Sequence, residues 1–222
     1  MSQASRTGDR GRLVVLPLAM VMAVAGASSL LRGSDGAGSG ADVPGAPVGL
    51  RWLTVLLASC FYLLVAWCYL RRGRAVATSR SPVAHLVAVL ATVTPFGFAL
   101  LPADPVGVGR AVAASLLLVA GSAWSVWALR SLGRSLAILA QARVVVQRGP
   151  YRWVRHPLYL GEVTACLGLA LNVGTAAAGL LWAALCAMQV FRAIREEEVL
   201  LRSLPDYAGY RVRTSALLPG VF

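Results

Sequence analysis

The run LYLGEVTACLGLALNVGTAAAGLLWAALCAMQVF, Leu158 to Phe191, decides how this chain folds. It is apolar over 34 residues. As one helix it would extend about 50 Å at ~1.5 Å per residue, too long for a hydrocarbon core of roughly 30 Å. Asn172-Val173-Gly174 offers a break near its middle. The length and the break together predict a helical hairpin of two arms, each of about 16 residues, that enters the membrane and returns to the same side.

The remaining chain is consistent with that reading. Of 222 residues, 58% are hydrophobic and only 14% charged, against about 25% charged in a soluble domain, and mean hydropathy is +0.69. Apolar runs at Leu13–Leu31, Leu50–Leu70, Pro82–Leu101 and Arg110–Leu132 have the length of bilayer spans. Residues 1–27 also have the basic start and small residues of a cleavable signal peptide, but the run is longer than a signal core, so a retained first helix is expected. Residues 32–49 form a Gly/Ala/Ser/Pro-rich linker; with no strand before them, Gly36, Gly38 and Gly40 make no nucleotide fingerprint. The fold class expected is all-α: a polytopic membrane bundle of four spans, a C-terminal hairpin and an amphipathic tail from Arg192 to about Leu204.

The net charge of +12 comes entirely from arginine. These arginines gather at the ends of apolar runs, where the positive-inside rule places them, which sets nucleic-acid binding aside. The arginine-only, alanine-rich composition fits a GC-rich bacterial genome. The first and third loops carry few arginines, whereas the N-terminus, the second loop, the segment after Leu132 and the tail are strongly basic. Both termini and both feet of the hairpin are therefore expected in the cytoplasm, with the protein in the inner (plasma) membrane. Cys60, Cys68, Cys166 and Cys186 lie in apolar runs with no metal-type spacing, so no metal is expected and the thiols read as small hydrophobes.

Two polar constellations meet at the feet. The first is Tyr151, Arg152, Arg155, His156, Tyr159 and Glu162; the second is Arg192, Arg195, Glu196, Glu197 and Glu198, with Tyr207 and Tyr210 beyond. Ionisable groups at a bilayer border are expensive and mark function by default. Pro157 suits the first turn of a helix, whose open N–H groups favour an anion. Arg155 adds a bidentate partner for carboxylate or phosphate. Tyr151, Trp153 and Tyr159 can stack on a flat base or face a cation. Arg192 and Glu196 share a helix face. Such a site suits a ligand with a carboxylate, a planar ring and a positive centre; S-adenosylmethionine fits, and a nicotinamide nucleotide fits in part.

Gly149-Pro150-Tyr151-Arg152-x-Val154-Arg155-His156-Pro157-x-Tyr159 resembles the signature of the isoprenylcysteine carboxyl methyltransferase family, shared with related phospholipid methyltransferases. Arg192-x-x-x-Glu196-Glu197-x-x-Leu200, Leu204-Pro205-Asp206-Tyr207-x-x-Tyr210 and Leu217-Leu218-Pro219-Gly220 resemble it too. Leu204 departs from the family, in which an aromatic is common. The resemblance covers roughly Gly133 to the C-terminus, which divides the chain into N-terminal transmembrane helices (1–132) and a methyltransferase core (133–222) within one structural domain. It implies a membrane enzyme transferring methyl from S-adenosylmethionine to a lipid-like or prenylated acceptor. By analogy Tyr151, Arg155, His156, Pro157, Tyr159 and Glu197 would line the cofactor pocket, while Arg192 and Glu196 would act on the acceptor. A nicotinamide-dependent membrane reductase and a non-enzymatic membrane protein are the alternatives; binding of labelled cofactors and substitution of Arg192 or His156 separate them.

Overall fold

A computed structural model describes residues 48–71, 77–78, 81–132, 141–142 and 145–218. The expected first span, the possible signal peptide, the Gly-rich linker through residue 47, several loop arginines and residues 219–222 lie outside the described residues. Those described are helical apart from loops and a two-residue antiparallel ladder, β1 (Ala77–Thr78) with β2 (Gln141–Ala142). The helices are α1 (Val48–Arg71), α2 (Pro82–Gly97), α3 (Val108–Leu132), α4 (Pro157–Val173), α5 (Ala176–Ser203) and α6 (Tyr207–Arg213), with 3-10 turns at Phe98–Leu100 and Gly149–Arg152.

Local chemistry sets these boundaries. The Ser81 hydroxyl accepts from the Ala84 N–H at 3.2 Å and opens α2, with Pro82 in its first turn. The hairpin turns where expected. Val173 ends α4, Gly174 takes a φ of 78° that few residues other than glycine tolerate, and its N–H donates to the Ala170 carbonyl at 2.8 Å. The Thr175 hydroxyl then accepts from the Ala178 N–H to open α5.

The two arms are unequal, with 17 residues in α4 and 28 in α5. The second arm continues without a break through the stretch expected as an amphipathic tail, because nothing between Phe191 and Ser203 interrupts helix formation. At about 42 Å it outreaches a hydrocarbon core of roughly 30 Å. Its charged end therefore stands at the border of the apolar layer.

Three helical stretches among the described residues are long and apolar enough to cross a membrane: Pro82–Leu100, Val108–Leu132 and Ala176–Ser203. Leu56, Leu63 and Trp67 on α1, Val83, Leu86 and Val93 on α2 and Leu180 on α5 face outward, as a lipid-facing surface requires. The chain is an integral membrane protein. Cys68 and Cys166 are buried, while Cys60 is on this outer surface; all four thiols are free.

Helices α3 and α4 approach each other closely, and small residues allow it. A Cβ at Gly161 would lie 2.8 Å from the Gly121 carbonyl oxygen, and one at Gly168 would lie 2.5 Å from that of Ala114. In lipid no hydrophobic force draws helices together, so close backbone packing of this kind carries the association. On α5, Ala178 and Leu185 pack with Ala91, Phe98, Cys166, Ala170 and Val173. This framework holds the feet of α4 and α5 side by side.

Candidate active site

The approach to α4 is a tight turn. Gly149 takes a φ of 60°, and a Cβ there would collide with the Ser131 side chain. The Trp153 and Val154 N–H groups both donate to the Pro150 carbonyl. Trp153, expected as a stacking surface for a ligand, also has partners within the chain and stays partly exposed. Its ring stacks on Trp124 with centroids 6.3 Å apart, meets Trp127 edge-on, and carries the Arg152 guanidinium 4.6 Å from its centroid. Trp124 in turn donates to the Pro157 carbonyl at 2.9 Å, tying the start of α4 to α3. Pro157 is buried in the first turn of α4, and no side chain caps that helix.

The C-terminal segment clamps the other side of this turn. Val154 and Ser215 form a parallel bridge, and the N–H groups of Arg155 and His156 donate to the carbonyls of Ser215 at 2.8 Å and Ala216 at 3.0 Å. The Tyr210 hydroxyl donates to the Tyr151 carbonyl at 2.5 Å. Tyr151 is buried, so among the expected pocket residues it and Pro157 are held through their backbones.

The other six expected residues form one cluster. Glu197, buried on α5, is its hub. One carboxylate oxygen accepts from Arg155 Nε at 2.7 Å and meets His156 Nε2 at 3.3 Å, and the other pairs with Arg211 Nε at 3.2 Å. Arg155 Nη1 also donates to the carbonyls of Arg211, at 2.9 Å, and Thr214. The Tyr159 hydroxyl donates to Glu196, whose second oxygen lies 3.7 Å from His156 Nδ1. The rings of His156 and Tyr159 are stacked, with centroids 5.5 Å apart and planes within 2°. Arg192 lies 4.6 Å from the Tyr159 centroid. Tyr159 thus joins the two constellations, carrying Arg192 over its ring and Glu196 on its hydroxyl.

Among groups outside the spans, burial is the main cause of raised phenol pKa values: Tyr151 and Tyr207 are pushed well up, and Tyr210 to about 12. Nearby carboxylates, Glu196 for Tyr151 and Glu197 for Tyr207 and Tyr210, add to the effect. All three shifts favour the neutral, hydrogen-bond-donating phenol. The Tyr207 hydroxyl is buried and has no hydrogen-bond partner among the described residues. Within those residues no group of His, Cys, Asp and Glu is arranged to hold a metal.

Sequence reasoning assigned no role to several contributors. Gln189 is fully buried and links Glu162 to Arg192; its signal is a lone amide in an apolar arm, one turn before an arginine. Arg211 reaches Glu197 from α6. The clamp by Ser215 and Ala216 uses backbone atoms alone, so side-chain identity carries no trace of it.

Fold and site together define a helical membrane protein with a charged cluster at the foot of a hairpin. Residues 109–205 match the family described as phospholipid methyltransferase. The matched segment is similar to that family over somewhat less than half of the chain, in accord with the resemblance to the isoprenylcysteine carboxyl methyltransferases. The match begins in α3, ahead of Gly133, and ends before α6, so it includes Arg155, His156, Tyr159, Arg192, Glu196 and Glu197. No curated protein matches the chain.

Proposed function

We propose that the protein is an S-adenosylmethionine-dependent methyltransferase that methylates the carboxylate of a lipid-like or isoprenoid acceptor. One observation carries the reading: two guanidinium groups, two carboxylates, a histidine and a tyrosine converge at the polar foot of an apolar hairpin.

The residues present fit this cofactor. Glu196 offers an acceptor to a molecule with a positive centre and an ammonium group, and Glu197 holds Arg155, His156 and Arg211 around it. The unpartnered buried hydroxyl of Tyr207 is a hydrogen-bonding group awaiting a polar partner. Tyr151, Arg155, His156, Pro157, Tyr159 and Glu197 would hold the cofactor. When bound, it supplies an electrophilic methyl on a sulfonium centre.

The chain's own contribution is positioning. Arg192 holds the acceptor carboxylate, whose two oxygens match a guanidinium. A carboxylate is already a nucleophile, so no proton need be removed and alignment supplies most of the rate. Joining an anion to a cationic methyl donor cancels charge, which the low-dielectric border of a membrane favours. The Tyr159 hydroxyl holds Glu196 beside this point. With an amine or thiol acceptor, Glu196 would instead be the base.

The basic residues Arg130, Arg148, Arg152 and Arg155 and the arginines of α6 support a cytoplasmic placement of the site. Residues 133–222 would form the transfer core, and the preceding helices would admit the acceptor's lipid part sideways from the bilayer.

Purified protein in lipid nanodiscs should bind labelled S-adenosylmethionine saturably. Mass spectrometry of lipid extracts with and without the enzyme should show an acceptor heavier by one methyl. Absence of saturable S-adenosylmethionine binding sinks the proposal, and saturable binding of reduced nicotinamide nucleotide in its place would make the protein a reductase.

A further inference from the structure

Glu162 lies five residues into α4, beyond the polar turn and inside the apolar arm. An ionisable group in such a place needs a named partner and a reason. Its partner is Gln189, which is fully buried on α5 and donates from Nε2 to Glu162 Oε2 at 2.7 Å. The same amide accepts from Arg192 Nη1 at 3.1 Å. The orientation of this amide is dictated: an arginine only donates and a carboxylate only accepts, so oxygen must face Arg192 and nitrogen must face Glu162.

We propose that Glu162 and Gln189 are positioning residues that set the direction of the Arg192 guanidinium for a carboxylate acceptor. The relay runs from α4 across to α5 and reaches Arg192 from its membrane side, one helical turn deeper. The Tyr159 ring fixes the guanidinium from another direction. A guanidinium held this way loses little freedom when it binds a carboxylate, and an unheld one must be ordered at the moment of binding. This inference rests on the reading of Arg192 as the acceptor-binding group.

One arm of the test needs no turnover. In arginine-labelled protein, with the Arg192 signal assigned by its loss in Arg192→Lys, rotation about the Arg192 Nε–Cζ bond should be slow by nuclear magnetic resonance and should quicken at least severalfold in Gln189→Met. The second arm uses a farnesylated N-acetylcysteine, whose carboxylate is free, as acceptor probe. Gln189→Met should raise its KM about tenfold while leaving the dissociation constant for S-adenosylmethionine within about twofold. The exchange Glu162→Gln with Gln189→Glu keeps a donor facing an acceptor at both contacts. It should restore KM to near the native value, and it carries the test if the single variant fails to insert. Equal rotation in native and Gln189→Met protein overturns the relay, as does an exchange variant that binds cofactor normally yet stays as impaired as the single variant. Restricted rotation in native protein that shows no methyl transfer upholds the relay and counts against the methyltransferase reading alone.

Discussion

Replacing Glu197 should damage the site more than any other single change. Its carboxylate meets Arg155 at 2.7 Å, His156 at 3.3 Å and Arg211 at 3.2 Å, and the Arg155 and Glu197 side chains are only 9% and 11% exposed. Removing one partner of a buried pair strands the other and costs about 3–5 kcal/mol. Arg155 keeps its bonds to the carbonyls of Arg211 and Thr214, so the lower end, about 3 kcal/mol, applies to Glu197→Ala. Shared between folding and ligand affinity, that is up to about a hundredfold in binding. Glu197→Gln keeps an acceptor for Arg155 and should lose roughly 1–2 kcal/mol. In the double variant Arg155→Met/Glu197→Gln no buried charge is stranded, so its loss should be smaller than the sum of the single losses. The assay is thermal unfolding in detergent with parallel titration of labelled S-adenosylmethionine. If Glu197→Ala leaves the unfolding temperature unchanged and the affinity within about twofold of native, the hub assignment is wrong.

Further outcomes follow from other contacts. Tyr210→Phe leaves the buried Tyr151 carbonyl without its donor at 2.5 Å and should destabilise by about 1–3 kcal/mol, read by denaturant titration. Burial raises the Tyr210 pKa to about 12, above the ordinary tyrosine value near 10. Its contribution is therefore complete below pH ~10 and lost as pH rises through about 12, and Tyr210→Phe should flatten the alkaline limb of a stability profile. Gly161→Ala forces a Cβ to 2.8 Å from the Gly121 carbonyl oxygen and should cost about 1–3 kcal/mol in thermal unfolding. A Cβ at Gly179 meets nothing within 4 Å, so Gly179→Ala should be neutral or stabilising by up to about 1 kcal/mol. Truncation after Arg213 removes the backbone acceptors at Thr214, Ser215 and Ala216; circular dichroism should show the helices retained while cofactor titration shows binding lost.

Much of the fold was legible because hydropathy is a local property. The Asn172-Val173-Gly174 break was located from its neighbours alone, and Gly174 does take the left-handed backbone that ends α4. The unequal length of the arms was less visible, since a helix that runs from lipid into water changes its polarity without changing its backbone. The residue types of the site were also visible, as charged and aromatic groups in an apolar chain. The partners of Trp153 were not, because Trp124 and Trp127 belong to α3 and reach it only through packing.

By itself, then, the amino-acid order determined that the chain enters a membrane, that it turns back near Gly174, and that two polar clusters stand at the border. Length, hydropathy and helix-ending residues act over a few turns and need no knowledge of distant contacts. Tertiary structure alone decided the pairings: Arg155 with Glu197, Tyr159 between Arg192 and Glu196, Gln189 between Glu162 and Arg192, and the backbone of residues 215–216 against that of 154–156. These partners lie on different elements, and small residues such as Gly121 and Gly161 set how closely α4 approaches α3. Hydrogen bonds and ion pairs act only at short range and in narrow geometries, so composition supplies the groups and packing selects which of them meet.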